Sequence, residues 1–208
     1  MNATRPRTRS RPLPRINRRC NGMSMTPEEF DAIKDWDDRY RYELIRGVLI
    51  VSPIPAEAEA DPNGDLEYIL RVYRRTHPEG RALEATMSER YVHLVDSRRR
   101  ADRVIWTGLG RVPDPKTDPP SIVVEFVSRS KRDRDRDYEE KRQEYLALGV
   151  CEYWIIDRFR RVMTVIRPDQ ADRIVKETEV YQTSLLPGLE LALAEIFAAA
   201  DRWKKKKE

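Results

Sequence analysis

Ser121-Ile122-Val123-Val124-Glu125-Phe126-Val127 is the most continuously apolar run of the chain, and it carries a carboxylate. A half-exposed strand alternates apolar and polar residues. A run that is apolar on both faces reads as a strand covered on both sides, at the centre of a sheet. Glu125 therefore comes with a condition. A carboxylate taken out of water without a partner is costly, so it is paired, protonated or metal-bound.

Downstream of this strand, a charged helix is expected from about Asp133 to Leu148, with Tyr138, Tyr145 and Leu146 inward and Gly149 as its stop. Tyr153–Ile156 and Val162–Ile166 then read as a hairpin turning near Arg158–Arg160. A further strand falls within 174–182, an alanine-rich helix near 192–200, and a Lys204–Lys207 tail ends the chain. Upstream lie strands at Arg103–Trp106 and Tyr91–Val95. Before them, Leu66, Ile69, Leu70 and Tyr73 repeat at helical spacing after a turn and cap at Asp61-Pro62-Asn63-Gly64. Tyr42–Ile45 and Val48–Val51 flank Arg46-Gly47 as a hairpin, and Thr26-Pro27-Glu28-Glu29 is a capping-box start. One helix joins two strands of the core and helices bracket the ends, which makes the fold α/β or α+β.

The 208 residues are enough for one domain with its own core, hiding about 70% of the extended surface. Two cysteines exclude a disulfide scaffold and a four-cysteine zinc site, and two histidines leave no histidine-rich metal centre. No apolar run approaches the ~20 residues of a membrane span, so a cytoplasmic protein is expected. The net charge of +4 is local: residues 1–22 hold seven arginines and no acid, and subtracting those seven leaves −3 for the rest. With prolines at 6, 12 and 14, residues 1–22 are expected to be a disordered arm, followed by one domain over 23–200 and a basic tail over 201–208. The arm could clamp nucleic acid. The simpler reading, which we adopt as the expectation, is that translation begins at Met23 or Met25.

Most acids lie in polar surroundings. Glu125 does not, and Asp102 opens the preceding strand, so two carboxylates converge if those strands are neighbours. Hard divalent cations such as Mg²⁺ take such ligands and leave other positions to water and phosphate. A buried salt bridge with one of the many arginines is the competing account. Lys141, four residues after Asp137, could aim its ammonium at a phosphate, or form an ordinary i,i+4 pair. Glu43, on a short strand, is open between core pairing and metal ligation.

The series Tyr42-Glu43-Leu44-Ile45-x-Gly47, Ala101-Asp102-Arg103-Val104, Val124-Glu125-Phe126-Val127-Ser128, Asp137-x-x-x-Lys141, Tyr145, Gly149-Val150 and Glu152–Asp157 resembles the Uma-two family of putative restriction endonucleases, within the PD-(D/E)XK nuclease superfamily. The resemblance implies a restriction-endonuclease-like core, a mixed sheet flanked by helices. It implies that Asp102, Glu125 and the backbone carbonyl of Phe126 bind Mg²⁺ or Mn²⁺, with Glu43 an additional ligand or a group behind the ligands. Val127 stands where the superfamily carries its lysine, so Lys141 takes that role from the following helix. The implied activity is metal-dependent hydrolysis of DNA by an activated water. The alternative is a silent nuclease-fold module binding DNA or protein. From the charge map, DNA contacts are expected from Arg98, Arg99 and Arg100 and from Lys131, Arg132 and Arg134. A homodimer is left open.

Overall fold

In a computed structural model of the chain, the structure describes residues 15–128 and 136–203, with only the backbone described at Arg136 and Asp137. Helix α1 (Pro27–Ala32) starts with the expected reciprocal cap: Glu29 N–H donates to Thr26 Oγ1 at 3.2 Å and Thr26 N–H to Glu29 Oε2 at 2.8 Å. Strands β1 (Tyr40–Ile45) and β2 (Val48–Pro53) form the hairpin. Its two turn residues, Arg46 and Gly47, both take positive φ (48° and 74°), the geometry a two-residue turn demands. There follow α2 (Glu57–Thr76), β3 (Leu83–His93), β4 (Arg98–Thr107) and β5 (Ile122–Phe126). A π-helical turn at Arg136–Glu140 runs into α3 (Lys141–Leu148), which Gly149 ends at φ 96°. Then come β6 (Glu152–Asp157), β7 (Val162–Ile166), β8 (Arg173–Lys176), β9 (Val180–Tyr181), β10 (Leu191–Ala192) and α4 (Leu193–Asp201).

Strands β1 to β8 make one mixed sheet in the order β2-β1-β4-β5-β6-β7-β8, with β3 also on β4. Among the described strands of this sheet only β5 and β6 run parallel, and α3 lies in the crossover between them. Every residue of β5 is buried, as its composition requires. Its even positions join a core with α2 and α4, while Val123 and Val127 join a second core beneath α3. A third cluster sits under the β1–β2 hairpin.

The edges of β4 are what create a site. Strand β3 occupies one edge along its length. The other edge is shared: β1 pairs there at Arg98 and β5 at Arg103–Ile105, so residues 99–102 lie at the seam where β1 and β5 part. Side-chain alternation changes phase at this seam. Ala101 and Val104 both pack on the α3 side although three positions apart, while Arg103 reaches α2. The register of β3 places Glu89 opposite Asp102, and Glu89 holds φ 52°, a left-handed conformation that costs a non-glycine residue roughly 1–2 kcal/mol.

Four expectations need correction. Residues 15–22 do not belong to a disordered arm: Ile16 is fully buried and bridges to Trp36, and Val51 N–H donates to Asn21 Oδ1. One aliphatic side chain with a place in the core outweighs an arginine-rich composition; residues 1–14 lie outside the described residues. The Asp61–Gly64 stretch is not a turn but part of α2, because Pro62 forgoes one helical bond while Asn63, buried, donates to Asp102 O at 2.9 Å. The strand expected at Tyr91–Val95 is the end of the longer β3, which stops at His93. Leu94 instead closes a turn onto Ser97. The segment 174–182 divides between β8 and β9, and β9 pairs with β10 rather than with the main sheet. The expected helix start at Asp133–Asp135 and the lysine tail lie outside the described residues.

Candidate active site

Asp102 sits in the seam, 7% exposed, with both carboxylate oxygens engaged. Oδ2 accepts the Phe126 N–H at 2.7 Å, possible because β5 has ended its pairing with β4 two residues earlier. Oδ1 accepts Arg41 Nη2 at 2.9 Å. Glu125 lies on the α3 face of β5, 2% exposed. Lys141 Nζ, at the start of α3, is 2.8 Å from its Oε1, and Tyr145 Oη donates to the same oxygen at 3.2 Å. Lys141 and Tyr145, one turn apart on α3, thus present one face to the strand. The lysine serves Glu125 across the fold; the side chain of Asp137, its expected i,i+4 partner, lies outside the described residues.

Arg41 links the two halves. Burial works against its charge, but Asp102, Glu89, Glu125 and Glu43 outweigh that and raise its pKa further. Its Nε contacts Glu89 Oε2 at 3.2 Å, and Arg100 Nε contacts the same oxygen at 2.9 Å. Burial also pushes the Glu89 carboxyl up, opposed by Arg41 and Arg100. Glu59, near the start of α2, is raised for the same reason and paired with Arg158 at 3.2 Å. Glu43 is buried and accepts the Arg100 N–H at 3.0 Å. Among the described residues no group of three or more His, Cys, Asp or Glu side chains is placed to hold a metal. Asp102 is joined to the end of β5 through the Phe126 N–H, one residue beyond Glu125.

The arginine run separates in a way the sequence did not indicate. Arg99 is fully buried under α3, held by Glu144 at 2.6 and 2.9 Å and by Glu140 at 3.2 Å, so it is withdrawn from any DNA contact. Arg98 turns to Asp31 on α1. Of the three only Arg100 lines the cleft beside Asp102: alternation along β4 sends Arg99 to the other face, and Arg98, at the start of the strand, is held by Asp31. Lys131, Arg132 and Arg134 lie outside the described residues. Sequence reasoning missed Arg41, Glu89 and Asn63. The signal for Arg41 was present: it lies two residues before Glu43 on a strand whose Tyr42 and Leu44 go to the opposite, apolar face.

The mixed, mostly antiparallel sheet flanked by helices is a fold shared with a solved structure described as a putative nuclease. The structure of a putative nuclease belonging to DUF820 from Anabaena variabilis superposes with a TM-score of 0.69 at 16% identity, covering 85% of this chain and 99% of that one. The chain belongs to the Uma2 family, described as putative restriction endonuclease, whose family model matches residues 27–194. No curated protein matches it. Among the described residues no helix is long and apolar enough to cross a membrane.

Proposed function

We propose that the chain is a metal-dependent endodeoxyribonuclease. The observation that carries this reading is the convergence of Asp102, Glu125 and Lys141, from three elements, around the carboxyl end of β5. The donor chemistry fits Mg²⁺ or Mn²⁺: two carboxylates and a carbonyl are all hard oxygens. Held by Asp102, Glu125 and the Phe126 carbonyl, such an ion would polarise the scissile phosphate and acidify the attacking water. Phe126 N–H and Tyr145 Oη fix the directions of the two carboxylates. Lys141 keeps an ammonium where charge develops on the phosphate and orients the attacking water. Purified protein incubated with supercoiled plasmid should nick or linearise it with Mg²⁺ and not with EDTA. Inertness on all DNA forms with both Mg²⁺ and Mn²⁺ overturns the reading.

A second reading has its own observation. Asp102 and Glu125 are each met by a protein cation, Arg41 and Lys141, as in a structural ion-pair network. The chain would then be a silent nuclease-fold module that binds DNA or protein. Calorimetric titration that finds no divalent-ion binding at millimolar metal supports this alternative.

A further inference from the structure

Beside Asp102 opens a cleft of about 340 Å³ whose lining includes Arg41, Glu59, Asn63, Glu89, Arg100 and Asp102. Its three arginines are used differently. Arg103, which also lines it, is spent on structure: it donates to Asn63 Oδ1, Asn63 O, Thr86 Oγ1 and Glu67 Oε2. Arg41 and Arg100 come from different strands and meet on one oxygen, Glu89 Oε2, at 3.2 and 2.9 Å. Arg100 also approaches Tyr91, its guanidinium 5.9 Å from the ring centroid. Glu89 itself holds a left-handed backbone opposite Asp102, and such outliers persist where the surrounding structure imposes them.

We propose that Arg41 and Arg100, bridged by Glu89, form the clamp that receives a DNA phosphate beside Asp102. The proposal rests on the nuclease reading and deepens it by naming the residues that hold the substrate. A phosphodiester offers two non-bridging oxygens and one negative charge, and guanidinium forks match that geometry. Glu89 keeps two like charges together in the free protein. A phosphate competes with it for both arginines, so the carboxylate sets how tightly DNA is held. Arg41 and Arg100 act here as binding residues and Glu89 as a positioning residue.

The test is binding rather than cleavage. Fluorescence anisotropy of a short labelled duplex, with Ca²⁺ in place of Mg²⁺, gives the affinity as a function of salt. Arg41→Gln and Arg100→Gln should each weaken binding and lower the slope of log K against log salt by about one. Glu89→Gln keeps an acceptor oxygen but loses the competing charge, and should tighten binding. Arg142→Gln, at a half-buried residue paired with Asp172 outside the cleft, should leave both quantities unchanged. If Arg41→Gln melts below the assay temperature, Arg100→Gln and Glu89→Gln carry the decision. Wild-type protein that binds no duplex overturns the nuclease reading itself. Wild-type protein that binds, with unchanged slopes in the arginine variants or weakened binding in Glu89→Gln, overturns the clamp alone.

Discussion

Two buried carboxylates on neighbouring parallel strands, Glu125 on β5 and Glu152 on β6, face opposite sides of one sheet and live in different chemistry. Glu152 is ringed mainly by neutral donors: Trp154 Nε1 at 2.8 Å, Tyr181 Oη at 2.9 Å and Thr183 Oγ1 at 2.9 Å, with Arg167 Nε at 2.9 Å as the cation. Those donors come from β6 itself, from the end of β7, and from β9 and its flank, so the carboxylate fastens the C-terminal segment to the sheet. Glu125 instead meets the ammonium of Lys141, within the field that also contains Arg41, Asp102, Glu89 and Glu43. Neutral donors satisfy a charge once and permanently. Crowded opposite charges leave a balance that a metal ion or a phosphate can shift. Burial is common to the two acids; the kind of partner is what separates them.

The largest effect should come from breaking the Glu125 side of this comparison. Glu125→Gln strands the buried Lys141 and should lower metal-free stability by about 3–5 kcal/mol, while abolishing Mg²⁺ binding and cleavage. Replacing both partners, Glu125→Gln with Lys141→Met, should restore much of the stability without restoring either activity. Thermal melting in EDTA beside calorimetry with Mg²⁺ reads both. Recovery of cleavage in the double variant would place the chemistry elsewhere.

Glu152→Ala should be a pure stability lesion. It leaves the Trp154, Tyr181 and Thr183 donors unpaired, each costing about 1–3 kcal/mol when buried, less whatever water recovers. Expected is a strong drop in melting temperature with unchanged Mg²⁺ affinity per folded molecule. A change in that affinity would mean that the two faces of the sheet are coupled.

The smallest effect lies outside both clusters. Side-chain hydrogen bonding from Arg39 holds the Asp37 carboxyl down to about 2, against its desolvation. A depressed carboxylate stabilises the fold above its unfolded pKa near 4, and that contribution disappears as pH falls through about 2. Asp37→Asn should flatten the melting temperature over that acid window and leave it unchanged in shape near neutrality. An acid limb identical in wild type and variant would show that Arg39 does not stabilise the folded carboxylate.

Much of the architecture was legible in the residues. The doubly apolar β5, the Thr26/Glu29 cap, the Arg46-Gly47 turn and the Gly149 stop are local matters of burial and backbone preference, and each element forms where those preferences put it. Asp102, Glu125 and Lys141 stood out because their charges contradicted or punctuated apolar runs. What a linear reading could not supply was partnership. The interior proline of α2 is tolerated because Asn63 next to it finds Asp102 O and Arg103 across the fold. The arginine run at 98–100 looked like one basic patch, yet its members are taken by three different acids, Asp31 and Glu144 far off in sequence and Glu89 across the β3–β4 hairpin. Ile16 shows the same limit from the apolar side, since one buried side chain fixed a segment whose composition argued for disorder. The sequence by itself determined which strand lies at the centre and which acids must find partners there, because desolvation penalises a carboxylate wherever the chain goes. Only the tertiary structure decided that Arg41, Glu89 and Arg100 meet beside Asp102, because that depends on where β1 and β5 part along one edge of β4.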